Sequence, residues 1–237
     1  LAWQDGQAEA MRSLLERCPA DRRHWEWNFL HRQLDRWQGT VLFAVTNPAT
    51  AQFSADRRQL AVATGDSVQI RDFSGGTILA KIPFAAQWPS CFAVSPRGEY
   101  LATLAAEPGT VTVWNLRTAE RVNEWSHGSR SLALAWSSDG RWVATGGDDR
   151  AIRIREAKTG REARTFSVSA RVIGLAFAPD DRTLAVGTTD VEVLLLEAAD
   201  GTVKRVLRTQ GPYNQQLTFS PDGRKLAFIK VNNLWIR

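Results

Sequence analysis

"WSSDGRWVATGGDDR", residues 136–150, ends on two glycines, two carboxylates and an arginine. That composition suits a metal-binding or catalytic turn, and it suits equally well a bend between two strands. Recurrence separates the two readings, because a catalytic pair is needed once whereas a linking bend is needed wherever strands are linked. The stretch does recur. "FSADRRQLAVA" begins at Phe53, "VSPRGEYLATL" at Val94, "WSSDGRWVATG" at Trp136, "FAPDDRTLAVG" at Phe177 and "FSPDGRKLAFI" at Phe219, so five copies stand 41 or 42 residues apart. A period of that length marks a repeat architecture in which each unit is one supersecondary structure.

Each copy has the same internal grammar. A first strand carries apolar residues two apart, Leu134 with Trp136 or Leu175 with Phe177, which puts both on one face. A turn follows, with Pro96, Pro179 or Pro221 in its first half and Gly98, Gly140 or Gly223 after it. The second strand, "LAVAT", "LATLA", "VATGG", "LAVGT" or "LAFIK", is rich in small and branched residues. A second turn leads to a third strand: "VQIRD" from Val68, "VTVWN" from Val111, "IRIRE" from Ile152, "VLLLE" from Val193 and "LWIR" from Leu234. A more polar fourth strand, as in "GREARTF" and "GTVKRVL", completes a unit of short antiparallel strands.

The second turn contains "TGDS", "EPGT", "GGDDR", "TTDV" and "VNNL" in successive copies, with Asp66, Asp149 and Asp190 at equivalent places. A carboxylate there accepts hydrogen bonds from the turn's own backbone N–H groups. The pair Asp148 and Asp149 is therefore read as structural rather than catalytic.

Composition limits the remaining choices. The chain has 237 residues, 43% of them hydrophobic, and no apolar run long enough to span a bilayer, so it is read as a soluble module without membrane contact of its own. The net charge is +5, but 30 lysines and arginines are scattered among 25 acidic residues, a pattern that argues against a nucleic-acid partner. Cys18 and Cys91 are too few for a disulfide framework and lack metal-ligand spacing. His24, His31 and His127 lie in unrelated segments, so no Ser-His-Asp arrangement or histidine metal site can be drawn. "HRQ" at 31–33 and "DFSGG" at 72–76 only superficially echo kinase motifs, and the glycine-rich loop, strand lysine and catalytic loop that a kinase needs are missing from this sequence. No enzyme activity, cofactor or metal is expected of these residues.

On its period and motifs the chain resembles the WD40 family of β-propellers. "VTVWN" at 111–115 is similar to the family's third-strand pattern, "LTFSPDG" at 217–223 is similar to its first strand and turn, and His127 lies nine residues before Trp136, where the family's Gly-His histidine sits, with Ser126 in place of the glycine. The resemblance implies an all-β, WD40-type propeller over residues 39–237 with about five blades present. In many WD40 blades a histidine, a strand hydroxyl, the turn aspartate and the third-strand tryptophan form a hydrogen-bonded network, which by resemblance assigns His127, Trp114, Asp66, Asp149 and Asp190 to structural roles. The departures matter. The copy with His127 and Asp149 has Arg155 at the tryptophan position, and the copy with Trp114 has Gly109 near the aspartate position. No blade is expected to hold the complete set. Stability is then expected to rest on apolar packing between blades, with Arg71, Arg155 and Arg237 laying their stems over apolar surface and their guanidinium groups near water or near Asp72 or Glu156.

Residues 1–38 follow a different grammar. Ala8, Met11, Leu15 and Cys18 are three or four apart, Pro19 interrupts, and Asp21 can cap a second helix whose Trp27, Leu30, Leu34 and Trp37 form a stripe. An α-helical hairpin is expected there. "CPADRRHWEWNFLHRQL" at 18–34 resembles the segment that precedes the propeller in bacterial, planctomycete-like proteins joining a serine/threonine kinase to WD40 repeats. By spacing, "GTVLFAVT" from Gly39 is a fourth-type strand without its own first three, and the last strands of the chain lack a fourth. The two remnants could close a five-bladed ring. A partial propeller is the reading adopted, because Arg237 falls one residue short of the expected Asp position.

Three functional classes follow: a protein-interaction scaffold or sensor, an enzyme or small-molecule binder using the central channel, and a purely structural repeat. Fold alone does not choose among them. The channel reading needs convergent polar groups on the innermost strands, where "LALAW" and "VIGLAF" offer few. The interaction reading is preferred because the loops joining fourth to first strands vary in length and carry Trp88 in "AAQWPS" and Tyr213 in "QGPYN", aromatic types that anchor interfaces. With Arg150 they are the candidate partner-binding residues. The partner is expected to be a protein, and the compartment, cytoplasmic or extracytoplasmic, depends on an upstream segment.

Overall fold

The sheet boundaries follow the repeat. In the computed structural model the described residues are 51–54, 58–64, 67–72, 77–83, 89–105, 107–190, 192–208, 217–230 and 233–236. Their strands make five antiparallel sheets, each built from consecutive strands. The first sheet holds β1 (Ala51–Phe53), β2 (Gln59–Thr64), β3 (Ser67–Asp72) and β4 (Ile78–Pro83). The second holds β5 (Pro89–Val94), β6 (Tyr100–Ala105), β7 (Thr110–Asn115) and β8 (Arg121–Ser126). The third holds β9 (Ser131–Trp136), β10 (Trp142–Gly147), β11 (Ala151–Glu156) and β12 (Glu162–Ser167). The fourth holds β13 (Val172–Phe177), β14 (Thr183–Thr188), β15 (Glu192–Glu197) and β16 (Val203–Arg208). The fifth has three described strands, β17 (Leu217–Phe219), β18 (Leu226–Lys230) and β19 (Asn233–Ile236). The expected helical hairpin at 1–38 and the strand from Gly39 lie outside the described residues.

The turn between first and second strands explains how four strands fit into so short a period. Ser137 Oγ accepts the Trp142 N–H at 2.8 Å, and Gly140 N–H bonds back to Ser137 O at 3.0 Å. Ser95, Ser220 and Ser54 take the same part, each hydroxyl accepting the N–H five residues on, from Tyr100, Lys225 and Gln59. Gly140 adopts φ 72°, a left-handed value that glycine reaches without steric cost. In the fourth sheet Asp181 occupies the same place at φ 56°. Its carboxylate compensates by crossing to the neighbouring sheet's turn, where it accepts the N–H groups of Ser138 and Asp139 at 2.5 and 2.9 Å.

Four apolar cores lie between consecutive sheets, and strand alternation feeds each of them. On β6, Leu101 packs toward the first sheet while Ala102 and Leu104 pack toward the third. On β10, Val143 faces the second sheet and Ala144 the fourth. On β14, Leu184 and Val186 face the third sheet and Ala185 the fifth. These second strands are buried on both faces, which is why they read as runs of apolar and small residues. Small residues mark close approaches: a Cβ at Gly146 would stand 2.3 Å from Val172 Cγ1 on β13. First strands pack on first strands, β5 against β9, β9 against β13 and β13 against β17. Trp136 on β9 adds a polar tie between sheets, donating Nε1–H to Ala93 O on β5 at 2.9 Å. Ile152, Ile154, Leu184 and Leu196 in the core between third and fourth sheets are essentially inaccessible, and each contributes about 1.5–3 kcal/mol of hydrophobic stabilisation. All these sheets belong to one compact unit, Pro48–Arg237.

Candidate functional site

The third sheet gathers its polar side chains at the end where β8 leads into β9 and β10 turns into β11. Alternation on β11 sends Ile152 and Ile154 into the core and Arg153 and Arg155 to the opposite face. Register sets Thr145 of β10 opposite Arg153, and Val143 opposite Arg155. His127 closes the group from the β8–β9 connection. The residue is 1% exposed, its Nδ1 stands 2.8 Å from Thr145 Oγ1, and its Nε2 stands 3.2 Å from Asp149 Oδ1 and 2.9 Å from Arg153 Nη1. Asp149 Oδ2 accepts from Arg153 Nη1 at 2.6 Å, and its Oδ1 also accepts the Ala151 N–H at 3.1 Å.

Electrostatics fixes the protonation of this group. Burial holds the His127 pKa below 6.5, against the pull of Asp149, and Arg153 and Arg155 lower it further. The ring is neutral at pH 7. A neutral imidazole has one N–H, so Nε2 either donates to Asp149, with Thr145 donating to Nδ1, or accepts from Arg153, with Nδ1 donating to Thr145. In the second arrangement the Thr145 hydroxyl passes its proton on to Arg153 O at 3.4 Å. Burial opposes the charge on Asp149, but the hydrogen bonds from Arg153, the Ala151 N–H and His127 outweigh it and hold its pKa at about 2. Asp149 is thus a fully ionised acceptor at neutral pH and cannot serve as an acid.

Arg155 departs from its sequence expectation. Its Nη2 binds Glu162 Oε2 at 2.6 Å and its Nη1 donates to Gly160 O at 3.2 Å, whereas Glu156 is bound by Arg141 Nε at 3.1 Å and Thr159 Oγ1 at 2.8 Å. The reason is geometric: adjacent strand residues point to opposite faces, and Glu162 is the residue paired with Arg155 across the ladder. In the second sheet Trp114 stands at the equivalent position and donates Nε1–H to Thr103 Oγ1 at 3.1 Å. Arg71 in the first sheet donates Nε and Nη2 to Gln69 Oε1 at 3.2 and 2.7 Å.

The structure thus brings together His127 and Asp149, places Trp114 in the second sheet, and leaves Asp190 exposed in the β14–β15 turn. Arg150 is exposed in the β10–β11 turn. Asp66, Trp88, Tyr213 and Arg237 lie outside the described residues. Arg153 was missed by the sequence reading, which looked for a partner only at position 155; the available signal was that 153 and 155 share a strand face. Cys91 is a partly buried thiol. Among the described residues no three His, Cys, Asp or Glu side chains are grouped to hold a metal ion, and no helix is long and apolar enough to cross a membrane.

A sequence comparison falls on the same segment. The family described as "WD domain, G-beta repeat" (WD40) matches residues 120–155, from the edge of β8 through His127, Thr145 and Asp149 to Arg155. That segment is similar to a single WD40 repeat. A similar protein, "Periodic tryptophan protein 2 homolog" of Dictyostelium discoideum, is 28% identical over 99 residues, which are 41% of this chain and 11% of that protein. The chain therefore spans about a tenth of the curated relative's length. Five sheets of three or four antiparallel strands are consistent with part of a WD40 propeller. WD40 domains are characteristically non-catalytic and generally mediate contacts between proteins.

Proposed function

We propose that this chain is a non-catalytic protein-interaction scaffold or sensor module built from WD40 repeats, forming the C-terminal part of a bacterial serine/threonine kinase. The observation that carries the reading is the closure of the third sheet's polar groups on one another. His127, Thr145, Asp149 and Arg153 bind within the sheet and its turn, so that what faces outward is loop surface rather than a reactive group. In this reading His127, Trp114, Asp66, Asp149 and Asp190 shape turns and sheets, while Trp88, Tyr213 and Arg150 contact the partner. Residues 1–38 form the helical hairpin before repeats at 39–237, and "CPADRRHWEWNFLHRQL" supports the link to a kinase.

Tiled peptide arrays probed with the full chain, followed by anisotropy titration of the peptides retained, test the interaction reading. The expected result is saturable binding that Trp88→Ala, Tyr213→Ala or Arg150→Ala weakens. Saturable binding of a small molecule, abolished by a bulky substitution on β9 or β13, would replace it with the channel reading. The coding region upstream tests the kinase link: a kinase domain there supports it, and an unrelated domain removes it.

A further inference from the structure

Three arginines stand at one end of the third and fourth sheets, on connections stitched to each other by backbone hydrogen bonds. Arg130, between β8 and β9, gives its carbonyl to Asp148 N–H at 2.9 Å; Arg150, between β10 and β11, gives its carbonyl to Val168 N–H at 2.9 Å; Arg171, just before β13, gives its carbonyl to Thr189 N–H at 3.1 Å. The side chains are underused. Arg130 Nη1 is 3.8 Å from Asp148 Oδ2 and Arg171 Nη1 is 3.9 Å from Asp148 Oδ1, with the arginines 49% and 60% exposed. A bonded arginine–carboxylate pair is nearer 2.8 Å, and the same sheet makes two at 2.6 Å, Arg153 with Asp149 and Arg155 with Glu162. Asp148 Oδ1 is buried and accepts no hydrogen bond. Arg130 Nε has a second loose carboxylate, Glu107 at 3.5 Å, itself 73% exposed. Arg150 is exposed at φ 62°, a left-handed backbone value disfavoured for a residue with a Cβ.

We infer that Arg130, Arg150 and Arg171 form a docking rim for an acidic peptide segment, with Asp148 as the internal counter-anion that the partner's carboxylates outcompete. The inference rests on the interaction reading above and names its partner chemistry. One carboxylate lying out of bonding range of two guanidinium groups satisfies neither, whereas a guest carboxylate can approach either fork bidentately. A polynucleotide is disfavoured because Glu107 and Asp148 are interleaved with the arginines and would repel a continuous phosphate backbone. A peptide can space its carboxylates to avoid them.

The test is an anisotropy titration at low ionic strength with a short fluorescein-labelled peptide alternating Glu and Ser. Arg130→Gln, Arg150→Gln and Arg171→Gln should each weaken binding about 3–10-fold, and the triple variant should abolish it. Asp148→Asn should strengthen binding about threefold or more, since it releases both arginines, a change of sign that a merely structural Asp148 would not produce. Arg97→Gln combined with Lys158→Gln, at the opposite end of the strands, should change nothing. Thermal melts of each variant confirm the fold. Undiminished binding by the triple variant, weaker binding by Asp148→Asn, equal loss in the Arg97 and Lys158 control, or equal affinity for a Gln–Ser peptide or an oligouridylate would each overturn the proposal. An array peptide that binds regardless of the triple substitution would sink this proposal while leaving the interaction module standing; no retained peptide at all would sink both.

Discussion

Asp149→Ala removes three contacts at once: the ion pair to Arg153, the bond from the Ala151 N–H and the contact with His127 Nε2. Two routes give the size of the loss. A partly exposed turn hydrogen bond contributes about 1 kcal/mol, and a charge-assisted bond at a rim open to solvent adds about 1 kcal/mol more. Independently, lowering a carboxylate pKa from 3.8 to about 2 corresponds to about 2 kcal/mol, which screening at a side chain 26% exposed reduces to between about 1 and 2 kcal/mol. A loss of about 2 kcal/mol should lower Tm by about 4–8 °C for a chain of this length, and lower the urea midpoint without changing the slope. The pH dependence has a definite sign. Folded Asp149 takes up a proton only near pH 2, the unfolded residue near 3.8, so the unfolded state binds more protons between those values. The stabilisation is complete above the unfolded pKa and is lost as pH falls through the folded one. The gap between wild type and variant should therefore be full near neutrality and narrow toward about pH 2. His127 adds a slope of its own in the wild type: its lowered pKa makes stability fall as pH drops below 6.5 until the folded ring also protonates. Urea melts of both proteins at neutral and acidic pH are the assay. Equal midpoints at neutral pH, or a gap that does not change on acidification, would refute this account.

Three further outcomes are expected. Trp114→Phe should cost about 1 kcal/mol by removing the Nε1–H donated to Thr103, and the double variant with Thr103→Val should cost less than the sum of the singles, measured in a double-mutant cycle. Gly146→Ala places a methyl 2.3 Å from Val172 Cγ1 and should destabilise by about 1–3 kcal/mol; Val172→Ala in the same chain should recover part of the loss in Tm. Asp181→Ala removes the acceptor of the Ser138 and Asp139 N–H groups, so amide exchange should accelerate at those two positions well before it does at Ala144 in the core.

The fold was legible because its two determinants are both periodic. The spacing of the five copies located every first strand described, and the small and branched residues read in the second strands prove to be buried between neighbouring sheets, Val143 toward one and Ala144 toward the other. The position of glycine in the first turn was equally readable. What stood there in the fourth copy, Asp181, was visible, but its hydrogen bonds to the third sheet's turn were not, since they depend on how two sheets approach. The candidate site was less legible for a similar reason. His127, Asp149 and the substitution of Arg155 for tryptophan could all be found by position. For Arg153 the sequence offered only that it shares a strand face with Arg155; its contact with Asp149 depends on a long side chain reaching past its own position to the turn.

The contrast between the second and third sheets shows what that substitution does. Where the second sheet has Trp114, one indole N–H on Thr103 and the ring against apolar neighbours settle the position. Where the third has Arg155, the guanidinium turns to Glu162 on β12 and leaves its Nε buried without an acceptor, while Arg153 takes Asp149 and approaches His127. An ion-paired arrangement at a partly exposed face is weakened by charge screening and by acid, whereas an indole has no charge to screen or to protonate. The two sheets should therefore lose stability under different conditions although their backbones are built alike. At the end of the third sheet the Asp149–Arg153 pair and the loose approaches of Arg130 and Arg171 to Asp148 should respond to ionic strength in a way that the apolar surroundings of Trp114 do not.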